Sequence, residues 1–160
     1  MKRVLFLCTG NSARSILAEA YLNHAGSGRF RAFSAGSQPA GKVNAFAIEV
    51  LREHGIALLE ARSKSWNEFA HAGAQHIDLI FTVCDNAAGE ACPVWPGRPI
   101  SAHWGIADPA AVTGDDVEKR KAFREAFASL KRRIDRLLAL PVETLQPAQL
   151  KSKLDEIGRG

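Results

Sequence analysis

Hydrophobic residues follow two alternating patterns along this chain. Short apolar runs, rich in β-branched and aromatic residues, predict buried strands at Arg3–Leu7, Arg29–Ser34, Leu79–Val83 and around Ile100–His103. Apolar residues spaced three or four apart predict helices at Ser15–Ala25, Asn44–His54, Ser65–Ala72, Asp116–Ala139 and Ala148–Ile157. Strands that alternate with helices favour an α/β fold with a mostly parallel sheet.

Local signals refine these boundaries. Gly55 is a helix stop, and Ser65 followed three residues later by Glu68 predicts a capping box at the start of the third helix. The Pro- and Gly-rich stretch 85–99 is interpreted as a loop within the domain, because a further strand follows it.

The length of 160 residues predicts a single domain over residues 1–160, with its core at about 2–139 and a C-terminal helix at about 148–157. No apolar stretch reaches the length of a membrane span, and the apolar run after Met1 is too short for a signal peptide. We therefore expect a cytoplasmic protein with no membrane partner. In that reducing compartment its three cysteines are expected to be thiols rather than structural disulfides.

The net charge of +4 raises the question of a nucleic-acid surface, because many basic residues lie between positions 119 and 136. Apolar residues recur through the same segment at helical spacing, at positions 123, 127, 130, 134 and 137. The basic residues are therefore interpreted as the solvated face of an amphipathic helix, and no nucleic-acid partner is expected.

The most informative segment is the loop between the first predicted strand and helix, Cys8-Thr9-Gly10-Asn11-Ser12-Ala13-Arg14. Backbone N–H groups of such a loop converge on one point, where the helix N-terminus adds partial positive charge. We predict that Thr9, Gly10, Asn11, Ser12 and Ala13 bind a tetrahedral oxyanion together with the guanidinium of Arg14. Gly10 and Asn11 are residue types that tolerate the positive φ that a tight loop requires.

The same electrostatic field would stabilise a thiolate at Cys8. A cysteine at a helix N-terminus beside an arginine is expected to have a lowered pKa, as catalytic thiols do. Ser15 could donate its hydroxyl to the Cys8 sulfur. The alternative is that Cys8 is an ordinary buried cysteine in a plain strand–helix turn. Cys84 and the loop of Asp108 also follow predicted strands, so both are expected at the same sheet edge as Cys8.

The spacing Cys-x5-Arg-Ser in a first strand–helix turn resembles the low-molecular-weight protein tyrosine phosphatase fold, and more narrowly the arsenate reductases built on it. The matching stretches are Leu5–Glu19, Phe33-Ser34-Ala35-Gly36-Ser37, Thr82-Val83-Cys84-Asp85-Asn86-Ala87, Cys92-Pro93-Val94-Trp95-Pro96-Gly97 and His103-Trp104-Gly105-Ile106-Ala107-Asp108-Pro109-Ala110. The resemblance implies a three-layer α/β/α sandwich with a mostly parallel four-stranded sheet.

The resemblance also implies a reaction, the reduction of arsenate to arsenite for detoxification. In it Cys8 is the nucleophile, Arg14 and the loop amides bind the oxyanion, and Asp108 is the general acid. Cys84 then attacks Cys8, Cys92 takes over the disulfide, and thioredoxin reduces it. Inert thiols at Cys84 and Cys92, or a zinc site, are the alternatives, although seven intervening residues do not fit the usual zinc spacing.

The sequence departs from the family pattern at two places, the Cys84–Cys92 interval and Ser63. The gap between Cys84 and Cys92 is one residue longer than is usual, which weakens the case for the disulfide relay. In other reductases of this fold, a low-molecular-weight thiol such as glutathione or mycothiol completes the cycle with a glutaredoxin-type protein, and this is the alternative reductant here. Some members hold potassium with residues matching Asn11, Glu19 and Ser34 plus an aspartate near Ser63. This chain has no aspartate at Ser63, and we expect neither a bound metal nor a bound cofactor.

Phosphate and sulfate are expected to compete with arsenate for the same loop. The second candidate function is a low-molecular-weight protein tyrosine phosphatase, a class that usually places aromatic residues beside its general acid. Here Asp108 is followed by Pro109-Ala110-Ala111. The third is a non-catalytic oxyanion-binding module, for which the thiol of Cys8 would be dispensable.

Overall fold

A computed structural model of the protein describes residues 1–58, 61–71, 73–84 and 95–160. Four strands form one sheet: β1 (Lys2–Leu7), β2 (Phe30–Ala35), β3 (Leu79–Thr82) and β4 (Ile100–His103). Their order is β2-β1-β3-β4, and all three neighbouring pairs are parallel. The predicted parallel sheet is confirmed, and each strand boundary lies within one residue of its prediction.

Helices cover both faces of this sheet unequally. They are α1 (Arg14–Ala25), α2 (Ala45–Glu53), α3 (Asn67–Ala70), α4 (Asp116–Leu138) and α5 (Pro147–Arg159). The four longer helices belong to one layer, in which α1 contacts β1, β2, α2 and α4 while α5 contacts β4 and α4. The short helix α3 covers the opposite face through Phe69. The predicted three-layer α/β/α sandwich is therefore confirmed.

Strand β1 shows why both faces need a cover. Val4 and Phe6 point into the larger hydrophobic core under the four helices, while Leu5 and Leu7 point into the smaller core on the α3 side. All four side chains are buried. Side chains alternate between the faces of a strand, so a continuous apolar run indicates a central strand that is covered on both sides.

Helix α1 is buried over eight consecutive residues, from Ser15 to Leu22. A surface helix buries only one stripe of side chains, so this burial indicates that α1 is enclosed. The sheet lies on one side of it and α4 on another. The helix that leads away from the Cys8 loop is therefore held in place by the core.

The predicted capping box at Ser65 is wrong. The Glu68 carboxylate instead accepts two hydrogen bonds from the Arg62 guanidinium, at 3.1 and 2.6 Å, while the Ser65 hydroxyl accepts from the backbone N–H of Asn67. The guanidinium offers Glu68 two charged donors, whereas a capping box offers one backbone N–H, so the contact with Arg62 is favoured. The helix is also shorter than predicted, and Ala72, its predicted end, lies outside the described residues.

The C-terminal helix is integrated into the core. The indole N–H of Trp104 donates to the carbonyl oxygen of Leu154 in α5 at 2.9 Å. The Trp104 ring is fully buried and stacks on Phe81, with centroids 3.7 Å apart. A side chain at Gly158 would collide with the backbone of His103, so α5 lies very close to β4. Within the described part of the chain, no helix is long and apolar enough to cross a membrane.

We predict that Trp104→Leu lowers the free energy of unfolding by about 3 kcal/mol, because it removes a buried stacked ring and the indole hydrogen bond to Leu154. Urea denaturation followed by circular dichroism measures this change. Val117→Ala, at a side chain that is 70% exposed, is the control and should change stability by less than about 0.5 kcal/mol. Equal stability of the two variants would contradict the packing role of Trp104.

Candidate active site

The candidate site lies at the point in the sheet where successive strands are added on opposite sides of β1. From β1 the chain first adds β2 on one side, and then adds β3 and β4 on the other side. In open α/β sheets, ligands bind at such a point, beyond the carboxyl ends of the two neighbouring strands. Here those strands are β1 and β3, and the residues that follow them include Cys8 and Cys84.

The loop from Cys8 to Arg14, called the oxyanion loop below, is held from outside by backbone hydrogen bonds. Its carbonyl oxygens at Thr9, Gly10 and Ser12 accept from the amides of Gln38, Ala40 and Asn44, respectively, at 2.8 to 2.9 Å. In a trans peptide the carbonyl and the next N–H point in opposite directions. The N–H groups of Gly10, Asn11 and Ala13 are therefore directed toward the inside of the loop, which is the arrangement an anion requires.

Asn11 is the residue that turns this loop. It is fully buried, and its φ of 44° is in the left-handed region that asparagine tolerates better than most residues. Its amide nitrogen donates to the hydroxyls of Ser15 and Ser34 at 2.8 and 2.9 Å. Gly10, for which the sequence also allowed a positive φ, does not adopt one.

A close backbone approach supports the loop from the β2 side. A side chain at Gly36 would collide with the carbonyl oxygens of Cys8 and Thr9, so glycine is required at this position. The Gly36 N–H donates to the carbonyl oxygen of Lys64, which connects the segment after β2 to the segment before α3.

Arg14 and Asp108 converge at the mouth of the loop. The Arg14 guanidinium donates to the carbonyl oxygen of Ile106 at 3.1 Å and lies 3.6 Å from a carboxylate oxygen of Asp108. The second Asp108 oxygen accepts from the backbone N–H of Ala110 at 2.9 Å, at the start of a short 3-10 turn. These contacts place Asp108, the predicted general acid, beside Arg14, which is predicted to bind the oxyanion.

Cys84 lies against the first residues of the oxyanion loop. Its sulfur accepts from the backbone N–H of Thr9 at 3.3 Å and lies 3.6 Å from the Thr9 hydroxyl. It also shares a hydrogen bond with Cys8. Cys8 and Cys84 are both buried, and neither is part of a disulfide.

The predicted low pKa of Cys8 is wrong for this arrangement. Contact with Cys84 is the largest cause and, together with burial, raises the pKa of the Cys8 thiol above its ordinary value; Arg14 and the Gly10 N–H act in the opposite direction. Two sulfurs in contact cannot easily both ionise, so the pair titrates as a unit. Tertiary contact between residues 76 positions apart therefore outweighs the local field of the loop.

For two predicted site residues, Ser15 and Cys92, the structure does not test the predicted role. Ser15 is buried, and its hydroxyl accepts from Asn11, so its donation to Cys8 stays a prediction. Cys92 and the interval 85–91 before it lie outside the described residues. Trp95, where the description resumes, packs edge-on against Trp66 with ring centroids 6.2 Å apart.

Lys64 is the residue near the site that the sequence analysis missed. Its ammonium lies 3.8 Å from the Glu19 carboxylate, and both side chains are about 6% exposed. A single lysine in a polar stretch carries no signal of burial, so only the fold reveals this pair.

The residues that the resemblance matches to a potassium site are engaged with other groups of the protein, and the absence of a bound metal stays a prediction. The Asn11 side-chain oxygen already accepts from the Lys64 N–H, and the Ser34 hydroxyl already donates to Glu19. The ammonium of Lys64 supplies the positive charge beside Glu19. Within the ranges that the structure describes, no group of three or more His, Cys, Asp or Glu residues could hold a metal ion.

A family model described as low molecular weight phosphotyrosine protein phosphatase matches residues 3–153. The chain belongs to this phosphatase family. Its resemblance to the arsenate reductases of the same fold is confirmed by a relative from Halalkalibacterium halodurans named arsenate reductase, which is 36% identical over 133 residues, 83% of this chain and 92% of the relative.

Solved structures include both activities of the phosphatase family. A thioredoxin-dependent arsenate reductase from Corynebacterium glutamicum is 25% identical, with a TM-score of 0.58 over 88% of this chain and 64% of that one. A low molecular weight protein tyrosine phosphatase from T. tengcongensis is also 25% identical, with a TM-score of 0.68 over 87% and 99%. The fold is therefore compatible with both reactions, and only the residues of the site can distinguish between them.

We predict that Cys84→Ala shifts ionisation of Cys8 to lower pH, because the substitution removes the largest cause that raises the pKa of Cys8. The rate of Cys8 alkylation by iodoacetamide, measured against pH, reports the thiolate. Both proteins that are compared, with and without Cys84→Ala, also carry Cys92→Ser. Cys8 is then the only thiol in the Cys84→Ala protein. A profile that is unchanged, or moved to higher pH, would show that Cys84 does not control the Cys8 proton.

Proposed function

We propose that this protein is an oxidoreductase that reduces arsenate to arsenite and serves arsenic detoxification. The observation that carries the proposal is the contact between the sulfur of Cys84 and Cys8, the first residue of the oxyanion loop. Hydrolysis of a phosphate ester needs one nucleophilic thiol, whereas reduction of arsenic needs two electrons, which a pair of thiols supplies. The names of the curated relatives agree with this reaction.

In the first step arsenate binds within the loop, with its oxygens facing the inward N–H groups of Gly10, Asn11 and Ala13 and the guanidinium of Arg14. The Cys8 thiolate attacks arsenic, so a sulfur–arsenic bond forms and an arsenic–oxygen bond breaks. Asp108 protonates the departing hydroxide, which leaves as water. Because Arg14 contacts the Ile106 carbonyl and Asp108, one group positions both the substrate and the acid.

The second step transfers the electrons. Cys84 attacks the Cys8 sulfur, a disulfide forms, and the sulfur–arsenic bond breaks with its electron pair remaining on arsenic, which leaves as arsenite. The N–H of Thr9 donates to Cys84 and favours its thiolate. The two sulfurs share one proton, which stays on Cys84 while Cys8 attacks arsenic and passes to an oxygen of the departing arsenite as Cys84 attacks Cys8.

The third step restores the thiols. We propose that Cys92 attacks Cys84 and takes over the disulfide, which a thioredoxin-type dithiol then reduces. The relative from Corynebacterium glutamicum that is named thioredoxin-dependent supports this reductant. Glutathione or mycothiol with a glutaredoxin-type protein is the alternative. Either cycle needs a reducing compartment, which is why we propose a cytoplasmic location.

A tyrosine phosphatase is the second candidate, and the similarity to the T. tengcongensis enzyme favours it. The residues that follow Asp108 do not favour a phosphatase. The residues after it are Pro109, Ala110 and Ala111, which offer no ring for a phosphotyrosine to stack on. The one tyrosine of the chain, Tyr21, lies in α1 with its hydroxyl bonded to Asp135 of α4.

We predict that arsenate accelerates NADPH oxidation in the presence of thioredoxin and thioredoxin reductase, and that Cys8→Ser, Cys84→Ser and Cys92→Ser each abolish this acceleration. Each serine has nearly the volume of cysteine but cannot form the disulfide its step requires. NADPH absorbance provides the measurement.

The pattern of losses separates the candidates. If the thioredoxin system is inactive but glutathione with glutaredoxin supports turnover, the reductase is retained and the thioredoxin assignment is wrong. Rapid hydrolysis of an aryl phosphate that is retained in Cys84→Ser and Cys92→Ser, with no arsenate reduction, would establish the phosphatase. Full resistance to arsenate conferred in cells by Cys8→Ser would establish a non-catalytic binding module.

We predict that Asp108→Asn lowers kcat by about 10²- to 10⁴-fold, the range expected for loss of a general acid, while the affinity for phosphate changes little. Asparagine can still accept from the N–H of Ala110, so the turn that carries this side chain is preserved. Steady-state kinetics and isothermal titration with phosphate provide the two readouts. Asp116→Asn is the control, and an equal kcat for the two variants would exclude Asp108 as the acid.

A further inference from the structure

A buried ion pair, Lys64 with Glu19, lies next to the residues that contact Asn11 of the oxyanion loop. Glu19 belongs to α1, and Lys64 belongs to the segment that precedes α3. The two residues are only 4% and 7% exposed, respectively. The Lys64 ammonium also donates to the Arg62 carbonyl oxygen at 2.8 Å. Charged side chains are rarely buried without a partner or a purpose, and the steps proposed above use neither of them.

We infer that Lys64 is a positioning residue for the oxyanion loop: its ammonium is the built-in counter-ion of Glu19, and together they hold Asn11 in the conformation that turns the loop amides inward. This inference deepens the proposed function, because the loop it supports is the proposed substrate site.

The contacts form a continuous path from the ion pair to the loop. Glu19 accepts from the hydroxyl of Ser34, and that hydroxyl in turn accepts from the side-chain amide of Asn11. The other end of the Asn11 amide accepts from the backbone N–H of Lys64 at 2.9 Å. Both polar atoms of the Asn11 side chain are thus fixed by groups that the ion pair organises, and Asn11 has the positive φ.

Glu19 needs a counter-ion at this position. Burial is the largest cause acting on its pKa and raises it, while Lys64 is the largest cause that lowers it. Arg31 and Arg62 contribute less, and the Arg62 guanidinium is itself bound to Glu68 by two hydrogen bonds. Without the ammonium of Lys64, the Glu19 carboxylate would either stay charged in a buried site without its nearest counter-ion or take up a proton and alter its bond with Ser34.

The Lys64 ammonium is tethered to the chain by its own side chain, so Glu19 has a counter-ion without taking up an ion from solution. The oxyanion loop is therefore expected to keep its shape at any potassium concentration.

The test compares four proteins: wild type, Lys64→Met, Glu19→Gln/Lys64→Met and the control Lys153→Met, which removes an exposed lysine of α5. We expect Lys64→Met to bind phosphate about tenfold more weakly in isothermal titration, within the range of ordinary coupling between sites. Methionine keeps the length of the side chain but leaves Glu19 without its counter-ion. The double variant removes both charges and should recover most of the affinity.

Each outcome decides the inference. Phosphate affinity in Lys64→Met equal to that of wild type would overturn it, as would a double variant as weak as the single one. If Lys64→Met fails to fold, the double variant carries the test, since near wild-type affinity supports charge compensation and a tenfold loss contradicts it. Failure of wild type itself to bind phosphate would refute the proposed function and not the role of Lys64 alone.

Chemical rescue gives a second readout. In Lys64→Ala, ammonium chloride should restore phosphate affinity, whereas tetramethylammonium chloride at the same ionic strength should not, because that ion is too large for the space left by the lysine. Equal effects of the two salts would mean that a counter-ion at Glu19 does not govern the loop. Potassium chloride should leave the affinity of wild type unchanged relative to tetramethylammonium chloride.

Discussion

The outward direction of the carbonyl groups in the oxyanion loop is the constraint on which the site depends. Amides of the segment after β2 hold the carbonyl oxygens of Thr9, Gly10 and Ser12, which turns the following N–H groups inward. Loop residues cannot impose this direction by themselves. It requires the close backbone approach at Gly36 and the left-handed conformation of Asn11. An anion site made of backbone groups thus rests on the packing around it.

The placement of Cys84 changes the chemistry of that site. An isolated Cys8 in this loop would be acidified by Arg14 and the loop amides, but the adjacent sulfur raises its pKa. Sharing a proton between the sulfurs suits a reaction in which each thiol must be a nucleophile in turn. A phosphatase uses one nucleophilic thiol and needs no second sulfur beside it. The position of Cys84 relative to Cys8 therefore separates the two activities of this family better than the fold does.

Charge around the loop is arranged in two layers. Arg14 and Asp108 at the mouth are partly exposed and can respond to a ligand, whereas Lys64 and Glu19 are buried and hold fixed positions. Because little water screens the buried pair, a change there is expected to reach the loop through Ser34 and Asn11 more strongly than a change at the surface. In the proposed mechanism the buried pair supports the loop, and the exposed pair binds and protonates the substrate.

The sequence by itself determined the parallel α/β fold, the oxyanion loop and its convergence with Asp108, because apolar periodicity and strand–loop–helix order are local properties that can be read along the chain. It misjudged the pKa of Cys8 and the partner of Glu68, and it gave no sign that Lys64 is buried. Only the tertiary structure decided these, because each depends on a contact with a residue from another segment: Cys84 beside Cys8, Arg62 beside Glu68, and Glu19 beside Lys64. Burial and proximity set the energy of a charge, and neither is encoded in the spacing of residues along the chain.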